Sequence, residues 1–254
     1  MSLFQRQLIA ALLFACLSLA AQAQQLRIVS EAWPPYIHDD NGVLRGLDYE
    51  AAHTVLQRLG VEVEWQMLPW RRCLMAMEQG QADGILGIFH TPEREASMLF
   101  ADEPLSQVEL VLFYAKTNPH PFHRLADLRG LKIGVSAGYW YSDRAFREST
   151  LFTRESAPSH VANFGKLVRK RVDLVINDRR GGHFALAQAG LEKQVRQHPR
   201  VISRDQMYLG LRRDAGHEQL ARRFANELRR FKREPAYAAL QARYGDPAHG
   251  RLLR

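Results

Sequence analysis

The chain has little cysteine. Cys16 and Cys73 are the only two among 254 residues, and Cys16 lies in an apolar stretch near the amino terminus. If that stretch is removed on export, the mature chain keeps one thiol and cannot form an internal disulfide. A disulfide-stapled scaffold is thereby excluded, so stability must come from an ordinary hydrophobic core. The content of 46% hydrophobic and 24% charged residues is normal for a globular protein.

Metal-binding patterns and several catalytic motifs are also missing. No H-E-x-x-H, P-loop or C-x-x-C occurs in the sequence. His120 and His123 have the spacing H-x-x-H, but the prolines at positions 119 and 121 prevent a helix that would align the two rings. No third ligand follows nearby, and a metal site needs three or four. We therefore expect neither a metal nor a cofactor.

Long apolar runs are confined to the amino terminus. Residues 1–23 combine a basic end at Arg6, an apolar stretch and an A-x-A cleavage site, the pattern of a signal peptide. A competing interpretation is a lipobox with Cys16 lipidated, but the apolar run continues past that cysteine. No later stretch approaches the ~20 apolar residues of a spanning helix. We expect cleavage after Ala23 and a mature chain in the periplasm.

Positive charge exceeds negative charge. The formal net charge is +8, yet arginine and lysine are spread along the whole chain. The densest basic group lies on a predicted amphipathic helix, Glu218–Lys232, where it forms a solvated face. We expect no nucleic-acid partner, although the overall field can help to retain an acidic small molecule.

One segment organises the rest of the chain. Gln81–Arg94 reads Q-A-D-G-I-L-G-I-F-H-T-P-E-R, in which a short apolar run predicts a strand buried on both faces. Thr91 suits an N-cap and Pro92 suits the first helical position, so a helix begins there. Arg94 is thus delivered near the carboxyl end of a strand, where open α/β sheets bind ligands.

Strands and helices alternate along the first third of the chain. Strands are predicted at Leu26–Ser30 and Val61–Gln66, with a helix after Gly46 that ends near Gly60 and another starting at Pro69-Trp70. Such alternation implies a mainly parallel sheet flanked by helices, that is, an α/β fold. Asp48 and Glu50 lie at a helix start, which favours capping and dipole stabilisation over a catalytic carboxylate pair.

Several segments together resemble family 3 of the bacterial extracellular solute-binding proteins. They are W-P-P-Y followed by G-L-D-Y-E, the helix-like P-W-R-R-C-L-M-A-M-E-Q-G, T-P-E-R, G-V-S-A-G and the strand that ends at Asp178. The resemblance implies a type II periplasmic binding fold with two lobes and two hinge crossings. We expect residues 24–107 and 212–254 in lobe 1 and residues 108–211 in lobe 2.

The resemblance also assigns a binding site. It implies that Arg94 pairs with a ligand carboxylate, that Trp33 and Trp70 stack on the ligand from opposite sides, and that the loop at Ser136 and Gly138 grips the carboxylate. Trp70 could instead be a core or staple residue. Asp178 would pair with an ammonium group, but an aspartate there also suits the N-cap of the next helix.

This sequence departs from the family pattern at several of these positions. Tyr139 and Trp140 replace the usual hydroxyl residues after Gly138, and Gly87 and Phe89 stand where amino-acid binders often carry serine or threonine. The pocket should therefore be rich in aromatic rings, as small-ligand sites often are. An amino acid with a bulky or cationic side chain is the first expectation, through cation–π contact, and a carboxylate without an amine is the second.

We therefore expect a monomeric periplasmic protein that captures a small polar solute, closes around it and delivers it to the membrane subunits of an ABC transporter. Two alternatives stay open. One is an enzyme similar to periplasmic cyclohexadienyl dehydratases, with Glu31 or Asp178 as the acid. The other is a sensory binding protein that reports its ligand to a membrane receptor.

Overall fold

The computed structural model describes residues 25–244. The predicted signal peptide, residues 1–23 with Cys16, lies outside these residues. Eleven strands and eight α-helices make up the described part, and most of their bounds are close to those predicted. Within it, no helix combines the length and apolar character needed to cross a membrane.

The chain from residue 26 to residue 100 forms β1 to β6 and three helices. The strands are β1 (Leu26–Ser30), β2 (His38–Asp40), β3 (Val43–Arg45), β4 (Val63–Met67), β5 (Gly84–Phe89) and β6 (Met98–Phe100). The helices are α1 (Leu47–Arg58), α2 (Trp70–Glu78) and the short α3 (Pro92–Glu95). As predicted, the side chain of Thr91 caps α3 by accepting a hydrogen bond from the backbone N–H of Arg94.

The remaining elements complete the chain. The strands are β7 (Ser106–Ala115), β8 (Lys132–Ser136), β9 (Thr153–Ala157), β10 (Leu174–Asp178) and β11 (Val195–Arg212). The helices are α4 (Arg144–Glu148), α5 (His160–Val168), α6 (Arg179–Gln188), α7 (Glu218–Phe231) and α8 (Pro235–Tyr244). Sequence reasoning did not place β9 and α5, which carry no glycine or proline signals as clear as those around β5.

One large sheet runs through the molecule in the order β4-β1-β5-β11-β7-β10-β8-β9, with β6 paired to β11. Strand β1 pairs in parallel with β4 and β5, and β8 pairs in parallel with β9 and β10. We call the half built on β1, β4 and β5 lobe 1 and the half built on β8, β9 and β10 lobe 2. The expected α/β fold, with a parallel sheet in each lobe, is confirmed.

Two long antiparallel strands connect the lobes. Strand β7 pairs with β10 of lobe 2, and β11 pairs with β7 from Val195 to Met207 and then with β5 of lobe 1 from Met207 to Leu211. Parallel strands need helical crossovers, whereas these two strands pass directly from one half to the other. The chain therefore crosses between the lobes twice, at β7 and at β11.

Separate hydrophobic cores support each lobe. In lobe 1, α1, α7 and α8 cover one sheet face, where Phe224 and Leu228 are fully buried. This confirms the predicted inward face of the carboxyl-terminal helix. Lobe 2 has its own cores, one around Phe146 and the other around Phe113 and Phe164. A small cluster of Trp33, Tyr36, Phe89, Val108 and Met207 lies where the two halves meet.

Candidate functional site

The cleft between the lobes lies at the carboxyl ends of β1, β5, β8 and β10. Two cavities remain in it, and Trp33, Trp70, Gly87 and Tyr139 line both. Each has a volume of only about 10 Å³, close to the least that holds one water molecule. The lobes are therefore in contact, and little free space is left between them.

Arg94 lines one of these cavities, together with Phe89 and Trp140. Its Nη1 donates a hydrogen bond of 2.7 Å to the carbonyl oxygen of Phe89, the last residue of β5. Within the described residues it makes no salt bridge, and burial lowers its pKa. A half-buried guanidinium without a carboxylate partner is costly, and an anion entering this cavity would neutralise it.

The aromatic residues predicted for the site form its walls. Trp33 follows β1 and is buried, with its ring centroid 6.1 Å from that of Phe89. Trp70 begins α2 and donates a hydrogen bond of 3.2 Å from its Nε1 to the carbonyl oxygen of Gly138 in lobe 2. The guanidinium carbon of Arg147 lies over the ring of Trp140, 4.2 Å from the ring centroid. Aromatic faces of this kind suit a cation or a flat apolar group.

Gly87 has a left-handed φ of +76° inside β5. A Cβ atom at this position would lie 3.1 Å from the terminal methyl of Met207 on β11. Glycine therefore fits both the backbone conformation and the close approach of the crossing strand. Because Gly87 also lines both cavities, the missing side chain leaves room in the cleft beside Trp33 and Trp70.

The loop after β8 closes the cleft from lobe 2. Ser136 ends β8, and its backbone N–H donates to the hydroxyl of Tyr141. Its Oγ lies 3.4 Å from Nδ1 of His160. Gly138 has a φ of +80°, a conformation that glycine adopts without strain. That turn directs the next side chain, Tyr139, into the cleft.

A chain of hydrogen bonds passes through Tyr139. Its hydroxyl lies 2.9 Å from Oε2 of Glu31 in lobe 1 and 3.2 Å from Nε2 of His160 in lobe 2. On the other side of the imidazole, Nδ1 lies 3.0 Å from Nδ2 of Asn177. The amide nitrogen of Asn177 can only donate, so Nδ1 of His160 is assigned as the acceptor and Nε2 as the N–H that donates to Tyr139, which in turn donates to Glu31.

Burial shifts the pKa values of these groups toward their uncharged forms. Removal of water raises the pKa of the Glu31 carboxyl, which the hydrogen bond from Tyr139 partly offsets. The same loss of water lowers the pKa of His160 to about 4. His160 is therefore neutral at pH 7, in agreement with its hydrogen bonds. Its ring also stacks on Trp33 at 5.8 Å, which ties the two lobes together.

Asp178, expected opposite an ammonium group, is buried behind the cleft wall. Its Oδ2 accepts hydrogen bonds from the Tyr36 hydroxyl (3.0 Å) and the Gly181 N–H (2.7 Å), and its Oδ1 accepts from the Glu109 N–H at 3.3 Å. It caps α6, the second role that the sequence left open. Asp178 is not among the residues that line the two cavities.

Asp48 has a different environment from the one expected. It lies in the first turn of α1 but does not cap it, since the N-cap is Gly46, whose backbone N–H donates instead to Glu50 Oε1 and to the Tyr244 hydroxyl. The carboxylate is buried, accepts a hydrogen bond of 3.0 Å from Ser106 at the start of β7, and lines a cavity. Loss of solvation raises its pKa from 3.8 to about 7. The capping expectation for Asp48 is wrong because tertiary packing covers this turn.

Sequence reasoning did not place Glu31, Tyr139 and His160 together at this site. Glu31 was considered only as an acid for an enzyme, and Tyr139 only as a departure from the family pattern. The available signals were the position of Glu31 directly after β1 and the G-x-S-x-G spacing of Gly134–Gly138. His160 had no signal, because it lies in α5, which the sequence pattern did not predict.

Comparisons with known proteins agree with this architecture. YxeM of Bacillus subtilis (strain 168), a probable amino-acid-binding protein, is 22% identical over 219 residues, covering 83% of this chain and 79% of that protein. A histidine kinase sensor domain with similarity to periplasmic binding proteins matches with a TM-score of 0.77 at 20% identity, covering 88% of this chain and 96% of the other. An ancestral arginine-binding protein bound to arginine matches with a TM-score of 0.76 at 23% identity, covering 87% and 98%.

At these identities the two solved structures show the fold alone. The sequence match to a family is more extensive: the model of the bacterial extracellular solute-binding proteins, family 3, matches residues 26–247, which is most of the chain. This match agrees with the fold, in which two strands cross between two lobes and a cleft separates the lobes. The chain belongs to family 3 of the bacterial extracellular solute-binding proteins.

Proposed function

We propose that this chain binds a small polar solute, an amino acid or a related carboxylate, between its lobes and delivers it to the membrane subunits of an ABC transporter. The family and the similarity to YxeM support an amino-acid ligand. The signal-peptide pattern of residues 1–23 supports export to the periplasm with cleavage after Ala23, rather than lipid attachment at Cys16. On this proposal the mature protein acts as a monomer.

The observation that carries the proposal is the state of Arg94. Its guanidinium is half-buried, faces a cavity and donates to a backbone carbonyl; among the described residues it forms no salt bridge, and the charge of Glu93 does not outweigh the loss of solvation. The carboxylate of a ligand supplies the missing charge, and each charge-assisted hydrogen bond contributes about 1.5–3 kcal/mol. Arg94 is therefore assigned to the ligand carboxylate.

The opposite charge of the ligand is assigned to Glu31. Asp178 accepts three hydrogen bonds from protein donors and lines neither cavity, whereas Glu31 lines a cavity and accepts from the Tyr139 hydroxyl and the Trp70 backbone. Trp33 and Trp70 line the same cavity and offer aromatic faces to a cation. This arrangement favours an amino acid with a cationic side chain. The remaining proposed contacts are Gly87, Phe89, Ser136, Gly138 and Trp140, with Asp178 supporting the cleft through Tyr36.

The test is a thermal-shift screen of the mature protein with amino acids, polyamines and small organic acids, followed by calorimetry on any ligand found. We expect a cationic amino acid to raise the melting temperature. Arg94→Met should weaken its binding by more than about 2 kcal/mol, since charged hydrogen bonds are lost. Arg72→Met, at an exposed position of α2, is the matched control and should bind as wild type does. Equal binding by both variants would refute the assignment of Arg94.

Catalysis is the second candidate function. Glu31 lines a cavity of the cleft, and burial raises the pKa of its carboxyl group, which is the direction that suits a general acid. The reaction to test is the elimination carried out by cyclohexadienyl dehydratases. Incubation with prephenate or arogenate should then yield an aromatic product that wild type forms and Glu31→Gln does not. A binding protein would leave both compounds unchanged.

A further inference from the structure

The side chain of Tyr139 fills the space between the two lobes. Its ring packs against Trp33 (5.5 Å between centroids) and Trp70 (5.8 Å), both from lobe 1, although Tyr139 belongs to lobe 2. The two small cavities lie beside this ring, and both are lined by it. The phenol ring and the two cavities therefore share the space beside Trp33 and Trp70.

The polar end of the ring is held as a bound ligand would be. The Tyr139 hydroxyl contacts Glu31 at 2.9 Å and His160 at 3.2 Å, so one group from each lobe grips the same oxygen. Buried hydroxyls need such partners, and here the partners come from opposite sides of the cleft. The Tyr139 hydroxyl therefore links the two lobes across the cleft.

We propose that Tyr139 is an internal occupant of the solute site and determines which solutes the cleft admits. A solute that uses the space between Trp33 and Trp70 has to displace the phenol ring and replace its contacts with Glu31 and His160. This inference rests on the proposed function only in treating the cleft as the solute site. Only protein molecules in which the phenol ring has left the cleft can bind a solute, so the apparent affinity is the intrinsic affinity multiplied by the fraction of such molecules. Solutes that cannot replace the contacts of Tyr139 therefore bind too weakly to be admitted.

Removal of the ring gives a direct test with p-cresol, which has the shape and hydroxyl of a tyrosine side chain. Tyr139→Ala should bind p-cresol with a Kd of about 1 mM or tighter, as expected for an eight-atom ligand in a well-formed pocket. Toluene, which lacks the hydroxyl, should bind at least about tenfold more weakly, because Glu31 and His160 lose their partner. Calorimetry and thermal shift measure both ligands.

Two controls separate occupancy of the cleft from a general loss of structure. Tyr139→Phe keeps the ring and should exclude p-cresol as wild type does. Tyr208→Ala removes a half-buried tyrosine from β11, away from both cavities, and should gain no binding. Binding of p-cresol to neither Tyr139→Ala nor wild type, or equally to both, would overturn the proposal.

Small-angle X-ray scattering after exhaustive dialysis gives a second test, and its measurement on wild type does not depend on the folding of a variant. The ligand-free protein should scatter as the closed structure does, whereas Tyr139→Ala should have a larger radius of gyration that p-cresol reverses. An open ligand-free wild type contradicts an internal occupant. Neither experiment uses an amino acid, so failure of this inference and failure of the amino-acid screen are distinguishable.

Discussion

Asp48 offers a quantitative test of how burial acts at the junction between the lobes. The carboxyl is 1% exposed and accepts one hydrogen bond, from Ser106 on β7, while its Oδ1 has no partner in the described structure. Its surroundings include the charged groups of Lys232, Arg180 and Asp178, which lie close enough to influence its ionisation. The loss of solvation outweighs these charges and raises the pKa from 3.8 to about 7.

The direction of the pH dependence follows from this shift. The folded state holds the Asp48 proton more tightly than the unfolded state does, so unfolding releases a proton between about pH 4 and pH 7. The stability that Asp48 contributes is complete below pH 4 and is lost as the pH rises through 7. A difference of roughly three pKa units corresponds to at most about 4 kcal/mol.

Asp48→Asn removes this ionisation while keeping an oxygen that accepts from Ser106. Relative to wild type, the variant should gain about 3–4 kcal/mol in its free energy of unfolding between pH 4 and pH 8. The new amide N–H has no acceptor, which lowers the free energy of unfolding of the variant by an amount that does not change with pH. The amide therefore affects which protein is more stable at a given pH, whereas the change with pH in the difference between their free energies of unfolding comes from the ionisation of Asp48.

Urea denaturation at pH 4, 5.5 and 8, followed by circular dichroism and tryptophan fluorescence, measures this difference. Glu78→Gln is the matched control, since Glu78 is exposed on α2 and its replacement should change stability by less than about 0.5 kcal/mol at each pH. A difference between wild type and Asp48→Asn that is the same at all three pH values would refute the reasoning.

Two other predictions concern the fold around the cleft. Gly46→Ala should lower the free energy of unfolding by more than about 3 kcal/mol, because φ is +127° and the added Cβ would lie 2.3 Å from the backbone oxygen of Tyr36. Gly42→Ala, with positive φ but open space around it, should cost only about 1 kcal/mol in the same urea experiment; equal losses would contradict the steric argument. Asp178→Ala should destabilise the protein by at least about 1 kcal/mol through loss of the α6 N-cap and of the bond to Tyr36, and unchanged stability would argue against the capping role.

Local chemistry in the sequence predicted much of the fold because each signal acts within a few residues. The apolar run before Thr91-Pro92 predicted β5 and the start of α3, and the predicted bounds of β1 agree with the structure. The alternation of strands and helices was enough for the α/β class. The length of β11 was not predictable in this way: its first half carries polar residues that pair with β7, and such pairing is not visible in hydrophobic periodicity.

The candidate site was predictable in its parts and not in its arrangement. Trp33, Trp70 and Arg94 could be assigned to one edge of the sheet because parallel strands present their carboxyl ends together. The sequence did not distinguish whether Asp178 or Glu31 faces the cavity, since both follow buried strands. Only the structure shows that Asp178 caps α6 while Glu31 lines a cavity.

The sequence by itself determined the local elements, the likeness to one family and the amino acids available to the cleft, because these depend on short-range spacing. Only the tertiary structure decided that Tyr139 enters the space between Trp33 and Trp70, where its hydroxyl meets Glu31 and His160. Tyr139 lies 108 positions along the chain from Glu31 and 21 positions from His160. Their meeting results from the packing of one lobe against the other, which no local pattern encodes.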